Sequence, residues 1–209
     1  MANLVSNQAG EFTDGHGSSR GLSNQLDYQA LVGYRSAANG ILTTAKTARA
    51  EKYGRSKLAP LALASKSANF DGIPAVDEAT AGPVDSLVYL IVPSAEFRKT
   101  KKKYQQPWIR VTKIGRGSAF RLTLALSRIN WRKTLVESGA HFTSWLVAKH
   151  ALRYLSLTIT NASPAESPLK QCQAALKRLG VQGAVLEWAE FVDGTLFTRW
   201  TDLSPANHP

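Results

Sequence analysis

Apolar and polar positions along this chain follow two periods, and the places where the period changes mark its elements. Short apolar runs bounded by turn residues predict buried strands at Ile41-Leu42, Leu61–Ala64 and Leu87–Val92, the last stopped by Pro93. Asn3–Ser6, Trp108–Thr112 and the alternating stretch Tyr154–Thr160 read as further strands. A period near 3.6 predicts helices over about Gln25–Ala38, with Leu31, Tyr34 and Ala38 on one face, and over about Ala119–Arg128, with Leu122, Leu126 and Ile129 on one face. Two more helices are predicted, one over about His141–His150 and one from Ser167 onward. The latter has Ser167 as N-cap, Pro168 at its first position, a face of Leu169, Cys172, Leu176 and Leu179, and Gly180 to close it. Asn24 with Asp27 three residues on resembles a capping box for the first helix. Val185–Val192 and Thr195–Trp200, joined by Asp193-Gly194, predict an antiparallel hairpin. Alternation of strands with helices places the chain in the α/β class.

The segment Gly40–Gly54 organises this reading. A buried strand there stops at Thr44 and Thr47, either of which can cap the helical turn Ala48–Glu51. A strand that ends in hydroxyls and opens a helix offers backbone N–H groups to an anion, and open α/β sheets bind ligands at the C-terminal ends of strands. The competing reading is a plain connection with threonine caps. Gly115-Arg116-Gly117-Ser118 follows a strand and can approach a phosphate in the same way, although such a sequence occurs in many turns. Asp14–Asn24 is a polar, glycine-rich loop suited either to folding over a ligand or to plain solvation.

Composition narrows the classes. The 209 residues, 44% of them hydrophobic, suffice for a sizeable core, expected as one domain over residues 1–202 with a polar tail over 203–209. No apolar run reaches membrane-spanning length and residues 1–20 are too polar for a signal peptide, so a cytoplasmic location is expected. The single cysteine, Cys172, rules out an internal disulfide, and its place on the apolar helix face makes it a core residue. No metal cluster or nucleophilic triad stands out. The formal charge of +11, from 26 Lys and Arg against 15 Asp and Glu, favours an anionic partner. Arg98–Lys103 is the densest charge run. Such runs are most often solvated, and the sharper readings are a funnel for anions or an RNA contact helped by Tyr104 and Trp108.

Three ordered segments carry a resemblance: Leu31–Tyr53, then Lys133–Phe142 with Val136-Glu137-Ser138-Gly139, then Leu196-Phe197-Thr198-Arg199-Trp200. Together they resemble the reductase domain of riboflavin biosynthesis. That family's patterns are a helix ending in Leu-Arg before Ala-Ile-Leu-Val-Gly-Ala-Gly-Thr-Val-Arg-Ala-Glu, a Val-Glu-Gly-Gly turn, and a closing Leu-Phe-Arg-Tyr. The resemblance implies a dihydrofolate reductase-like three-layer α/β/α fold, with a mixed, mostly parallel central sheet and a C-terminal antiparallel hairpin. It implies an NADPH-dependent reduction of 5-amino-6-(5-phosphoribosylamino)uracil. Thr44, Thr47, Gly115, Ser138 and Gly139 would hold the cofactor, Glu51 and Glu137 would act on the substrate as catalytic residues, and Ser19, Arg35 and Arg55 would bind it.

The chain departs from the family at Ala9, Thr44, Lys46 and Ser138. A second reading is therefore a homologue that kept the fold and binds a nucleotide or phosphorylated ligand without turnover. RNA binding is a third reading and rests on charge alone. A homodimer is expected, because the hairpin carries Leu186, Trp188, Phe191, Phe197 and Trp200, more apolar surface than one ribbon face can bury. Strand alternation puts Leu186 and Trp188 on one face and Phe191 on the other.

Overall fold

The computed structural model describes residues 1–80, 82–83, 85–115 and 119–205. In chain order the elements begin with β1 (Ala2–Ser6), α1 (Gln25–Ala37), β2 (Gly40–Thr44), α2 (Ala45–Ala50), β3 (Leu61–Ala64) and α3 (Pro74–Asp77). They continue with β4 (Val88–Pro93), α4 (Phe97–Lys103), β5 (Ile109–Ile114), α5 (Ala119–Arg128), β6 (Thr134–Val136) and α6 (Ala140–Ala148). The last are β7 (Leu155–Thr160), α7 (Pro168–Arg178), β8 (Val181–Gln182), β9 (Val185–Val192), β10 (Thr195–Thr201) and β11 (Ser204–Pro205). The chain divides into two compact units. A middle unit spans Tyr34–Leu135, and a terminal unit joins Met1–Gly33 to Val136–Pro209.

In the middle unit β2, β3, β4 and β5 lie side by side and all parallel, so their C-terminal ends share one edge. Parallel strands are covered on both faces and read as continuous apolar runs. That is why Ile41, Leu61, Leu63, Val88, Leu90 and Val92 form one core with Phe70 and Ile73. Gly40 begins β2 with its bare backbone against the Trp131 indole, where a Cβ would lie 2.2 Å from the ring. The connection from β3 to β4 contains α3. The basic run lies on α4.

In the terminal unit β1 runs parallel to β7 and, through Val136, to β6. β10 is antiparallel to both β7 and β9. Contrary to the alternation read from the sequence, every residue of β7 is buried, as a strand flanked by β1 and β10 permits. Asp193 and Gly194 turn the hairpin with φ of 45° and 73°, the positive values that a two-residue loop of this kind demands. Beneath it Cys172 is fully buried, and burial pushes its thiol up to about 11. Its Sγ lies 3.7 Å from the Thr198 hydroxyl, which donates to Leu157 O at 2.8 Å and accepts from Trp200 Nε1 at 2.8 Å. The sequence missed the small sheet of β8 and β11, which orders residues just beyond 202.

The ladder between β9 and β10 corrects one expectation. Trp188 pairs with Arg199 while Leu186 pairs with Trp200, with a register shift between them. Glu187 is the extra residue of a β-bulge, so the period of two breaks there. Leu186 shares the face of the buried Trp200, and Trp188 lies on the opposite face with Arg199, whose guanidinium pairs with Glu187 at 2.6 Å.

Candidate functional site

The strand-turn-helix of the middle unit forms where apolar Gly40–Thr43 gives way to residues that compete for backbone hydrogen bonds. Thr44 is the N-cap of α2, in extended backbone at φ −92° and ψ 153°. Its Oγ1 accepts the Thr47 N–H at 3.2 Å and lies 3.0 Å from the Thr47 hydroxyl. Of the two threonines that composition allowed as caps, Thr44 is the one. The N–H of Thr47 is consequently taken, so an anion here would meet the two partly buried hydroxyls rather than that amide. Glu51 ends α2, where its N–H donates to Thr47 O at 2.9 Å. The Arg35 guanidinium lies 5.6 Å from the centre of the Tyr53 ring.

Arg55 is placed differently from a phosphate-binding cation. It is 6% exposed, donates to the carbonyls of Ala79 and Gly82, and stacks 4.6 Å from the Trp108 ring centre. A guanidinium is a planar fork of donors that stacks readily on aromatic faces, and here that capacity is spent on the protein's own backbone. Gly115 follows the end of β5, three strands from β2, which at ~4.8 Å per strand is about 14 Å across the sheet. A Cβ at Gly115 would lie 1.6 Å from Arg121 Nη1, so the absent side chain makes room for that arginine. Arg116, Gly117 and Ser118 lie outside the described residues.

In the terminal unit Glu137 and Ser138 are buried at 5% and 3% exposure, and Gly139 is the N-cap of α6 with no side chain to close that helix end. The Thr143 hydroxyl donates to Ser138 O at 3.3 Å, which fixes the turn. His141 is exposed, in keeping with a helix-surface histidine. Ser19 sits in the glycine-rich loop, where its carbonyl accepts the N–H of Leu22 and Ser23. That loop closes on Asp14, whose Oδ1 accepts from the His16 N–H at 2.8 Å and the Ser18 N–H at 3.1 Å. These N–H groups, Ser18 first, hold the Asp14 carboxyl below the usual carboxylate range.

Two sets of residues escaped the sequence reading. Ser65, Lys66 and Ser67 follow β3 directly, and Thr44 pairs with Ala64 in register, so both strand ends present hydroxyls on one edge. The signal was a polar Ser-Lys-Ser immediately after an apolar strand. Asp27 is 4% exposed. Its Oδ2 accepts the Ser23 hydroxyl at 2.6 Å and its N–H donates to Asn24 Oδ1 at 2.9 Å, as the capping box requires. Its Oδ1 is buried without a hydrogen-bond partner among the described residues, a costly arrangement for a carboxylate. Only its capping role was visible from spacing.

No family model and no curated protein matches this chain. Solved structures do. A pyrimidine reductase-like protein from Corynebacterium diphtheriae superposes with a TM-score of 0.73 at 22% identity, over 96% of this chain and 90% of that one. The RibD protein of Acinetobacter baumannii gives 0.68 at 12% identity, over 96% of this chain and 56% of that one. A diaminohydroxyphosphoribosylaminopyrimidine deaminase/5-amino-6-(5-phosphoribosylamino)uracil reductase from Thermotoga maritima gives 0.65 at 13%, over 96% and 55%. The chain thus spans little more than half of these last two. At such identities the likeness establishes the fold, and that fold is the one the sequence resemblance implied: α/β, with a mixed, mostly parallel sheet and a C-terminal antiparallel hairpin.

Proposed function

We propose that this chain is a reductase that uses NADPH to reduce a phosphorylated ribosylaminopyrimidine, of the kind named for the Thermotoga maritima protein. The observation that carries the reading is the Thr44–Thr47 hydroxyl pair at the C-terminal edge of the parallel strands, in a fold shared with a pyrimidine reductase-like protein. The middle unit's donor set suits the phosphates of a dinucleotide. In the middle unit it offers the two threonine hydroxyls and, at the next strand end, Ser65, Lys66 and Ser67. In the terminal unit Gly139 leaves the first turn of α6 without a side-chain cap, an arrangement that favours an anion.

NADPH supplies the hydride when bound, and the chain's residues bind and orient. Thr44 and Thr47 hold phosphate oxygens through their hydroxyls. Ser138 and Gly139 keep the entry to α6 small enough for close packing of a ligand on backbone. Glu51 orients polar groups of the pyrimidine. Arg35, held beside Tyr53, meets the substrate phosphate, while Arg55 has a structural task. Ser19 contributes from its loop.

The test adds 5-amino-6-(5-phosphoribosylamino)uracil to purified protein with NADPH and follows loss of the reduced-nicotinamide absorbance. Substrate-dependent consumption supports the reading. Tight NADPH binding without consumption would favour a ligand-binding homologue that lost turnover.

The chain is further proposed to pair with itself through β9. That strand is the edge of its sheet and is exposed almost throughout, with Trp188 and Phe191 at 41% and 38%. Strand alternation places these two aromatics on opposite faces of the ribbon, so packing on one face alone leaves the other open.

A further inference from the structure

We propose that the middle unit also binds the phosphate backbone of a nucleic acid, without reading its sequence, along a strip formed by α4, the end of β5 and α5. The chain's charge is strongly uneven. Residues 34–135 hold 19 of the 26 Lys and Arg but only 6 of the 15 Asp and Glu, a net +13. The remaining 7 basic and 9 acidic residues leave the terminal unit at −2, so the whole positive excess belongs to one unit.

Within that unit the cations are arranged rather than scattered. α4 turns Thr100 inward and is followed by the buried Tyr104, at 2% and 5% exposure, with Phe97 partly buried on the same side. This leaves Arg98, Lys99, Lys101 and Lys102 exposed to solvent. Lys103 pairs with Asp71, whereas none of the other four has a carboxylate partner among the described residues. Lys113, near the end of β5, joins this helix to the next. Its ammonium lies 5.5 Å from the Phe97 ring centre, and it lines a groove of about 220 Å³ with Arg121 and Arg128 of α5. Ile114, Gly115, Leu124 and Ala125 complete its described lining, which includes no acidic residue. Arg121 and Arg128 are seven residues apart, hence on one face of α5 and about 10 Å apart along its axis.

The kind of partner follows from what the strip lacks. The Tyr104 hydroxyl donates to Asp71 Oδ1 at 2.8 Å and accepts from the Phe70 N–H at 3.0 Å. Trp108 donates its Nε1–H to Ala75 O at 3.1 Å and is faced by Arg55. Both aromatics beside the basic run, Tyr104 and Trp108, are thus occupied by the protein's own groups, and the described side chains of the strip offer charge rather than a stacking platform. An amphipathic membrane helix turns its apolar face outward to the lipid, and α4 turns its own inward. Seven cations, six on two helices and Lys113 on β5, exceed what one small phosphate needs and suit a polymer of phosphates, held by charge and counterion release.

The test is fluorescence anisotropy of two labelled RNA duplexes of unrelated sequence, titrated with the full chain at several salt concentrations. Equal affinity for both, falling steeply with salt, is expected. The variant R98Q/K99Q/K101Q/K102Q changes only exposed side chains and should bind at least ten-fold more weakly at low salt, with a slope flatter by about 3.6. The variant R121Q/R128Q should flatten it by about 2. Absence of binding at low salt, or an unchanged slope in both variants, would overturn the proposal. So would a marked preference for one duplex. Phosphatidylserine vesicles that bind the chain where the duplexes do not would replace it with a lipid surface.

Discussion

Thr44 does two things at the end of β2: it caps α2 through the Thr47 N–H and shares a 3.0 Å contact with the Thr47 hydroxyl. The two roles separate by mutation. Thr44→Ala removes the cap and should lower stability by ~1 kcal/mol in urea unfolding. Thr47→Val keeps the cap, since the amide remains, and should weaken NADPH by ~1 to 2 kcal/mol, the scale of a hydrogen bond to a charged group. A variant with wild-type NADPH affinity would remove Thr47 from the cofactor site. Cys172 allows a test by pH. Its folded thiol titrates at about 11 because burial disfavours the thiolate, against ~8.5 in an unfolded chain. A raised value means the stabilising contribution is complete below the unfolded value and is lost as pH climbs toward the folded one. Stability should therefore decline from about pH 8.5 upward in wild type and less so in Cys172→Ala. At neutral pH a thiol reagent should modify Cys172 only after denaturant is added; rapid reaction of the native protein would contradict its burial.

At the scale of elements, most of the fold was legible because its signals are local. The apolar run Leu61–Ala64, the Ser167-Pro168 cap and the Asp193-Gly194 turn each dictate an element within a few residues, and each appears where the pattern put it. What was illegible depends on partners distant in sequence. The bulge at Glu187 is defined by its register against Arg199, the occupation of Trp108 by Arg55, and the orphaned Asp27 oxygen by what surrounds it. The same holds for the site: the hydroxyl turn was visible in Gly40–Glu51, whereas the carbonyls that claim Arg55 were not. Trp200, 1% exposed on the hairpin strand β10, should cost ~3 to 5 kcal/mol as Trp200→Ala. A loss under 1 kcal/mol in the same unfolding assay would mean the hairpin is not anchored there. For the open edge, light scattering at micromolar concentration should report two chains for wild type and one for Trp188→Lys. A wild-type mass of one chain, unchanged on tenfold concentration, would refute pairing through β9.

Across the whole molecule, a fold shared with a pyrimidine reductase-like protein coincides with a charge excess held by residues 34–135. A basic unit with hydroxyls at the C-terminal edge of its parallel strands is suited to anionic ligands. No helix among the described residues is long and apolar enough to cross a membrane. The central claim is that this chain binds a reduced nicotinamide dinucleotide. A titration of the purified protein with NADPH, followed by the cofactor's own fluorescence, tests it most directly. Saturable binding of one cofactor per chain, weakened in Thr47→Val, is the predicted result. A fluorescence response that stays linear with added NADPH into the millimolar range would contradict it.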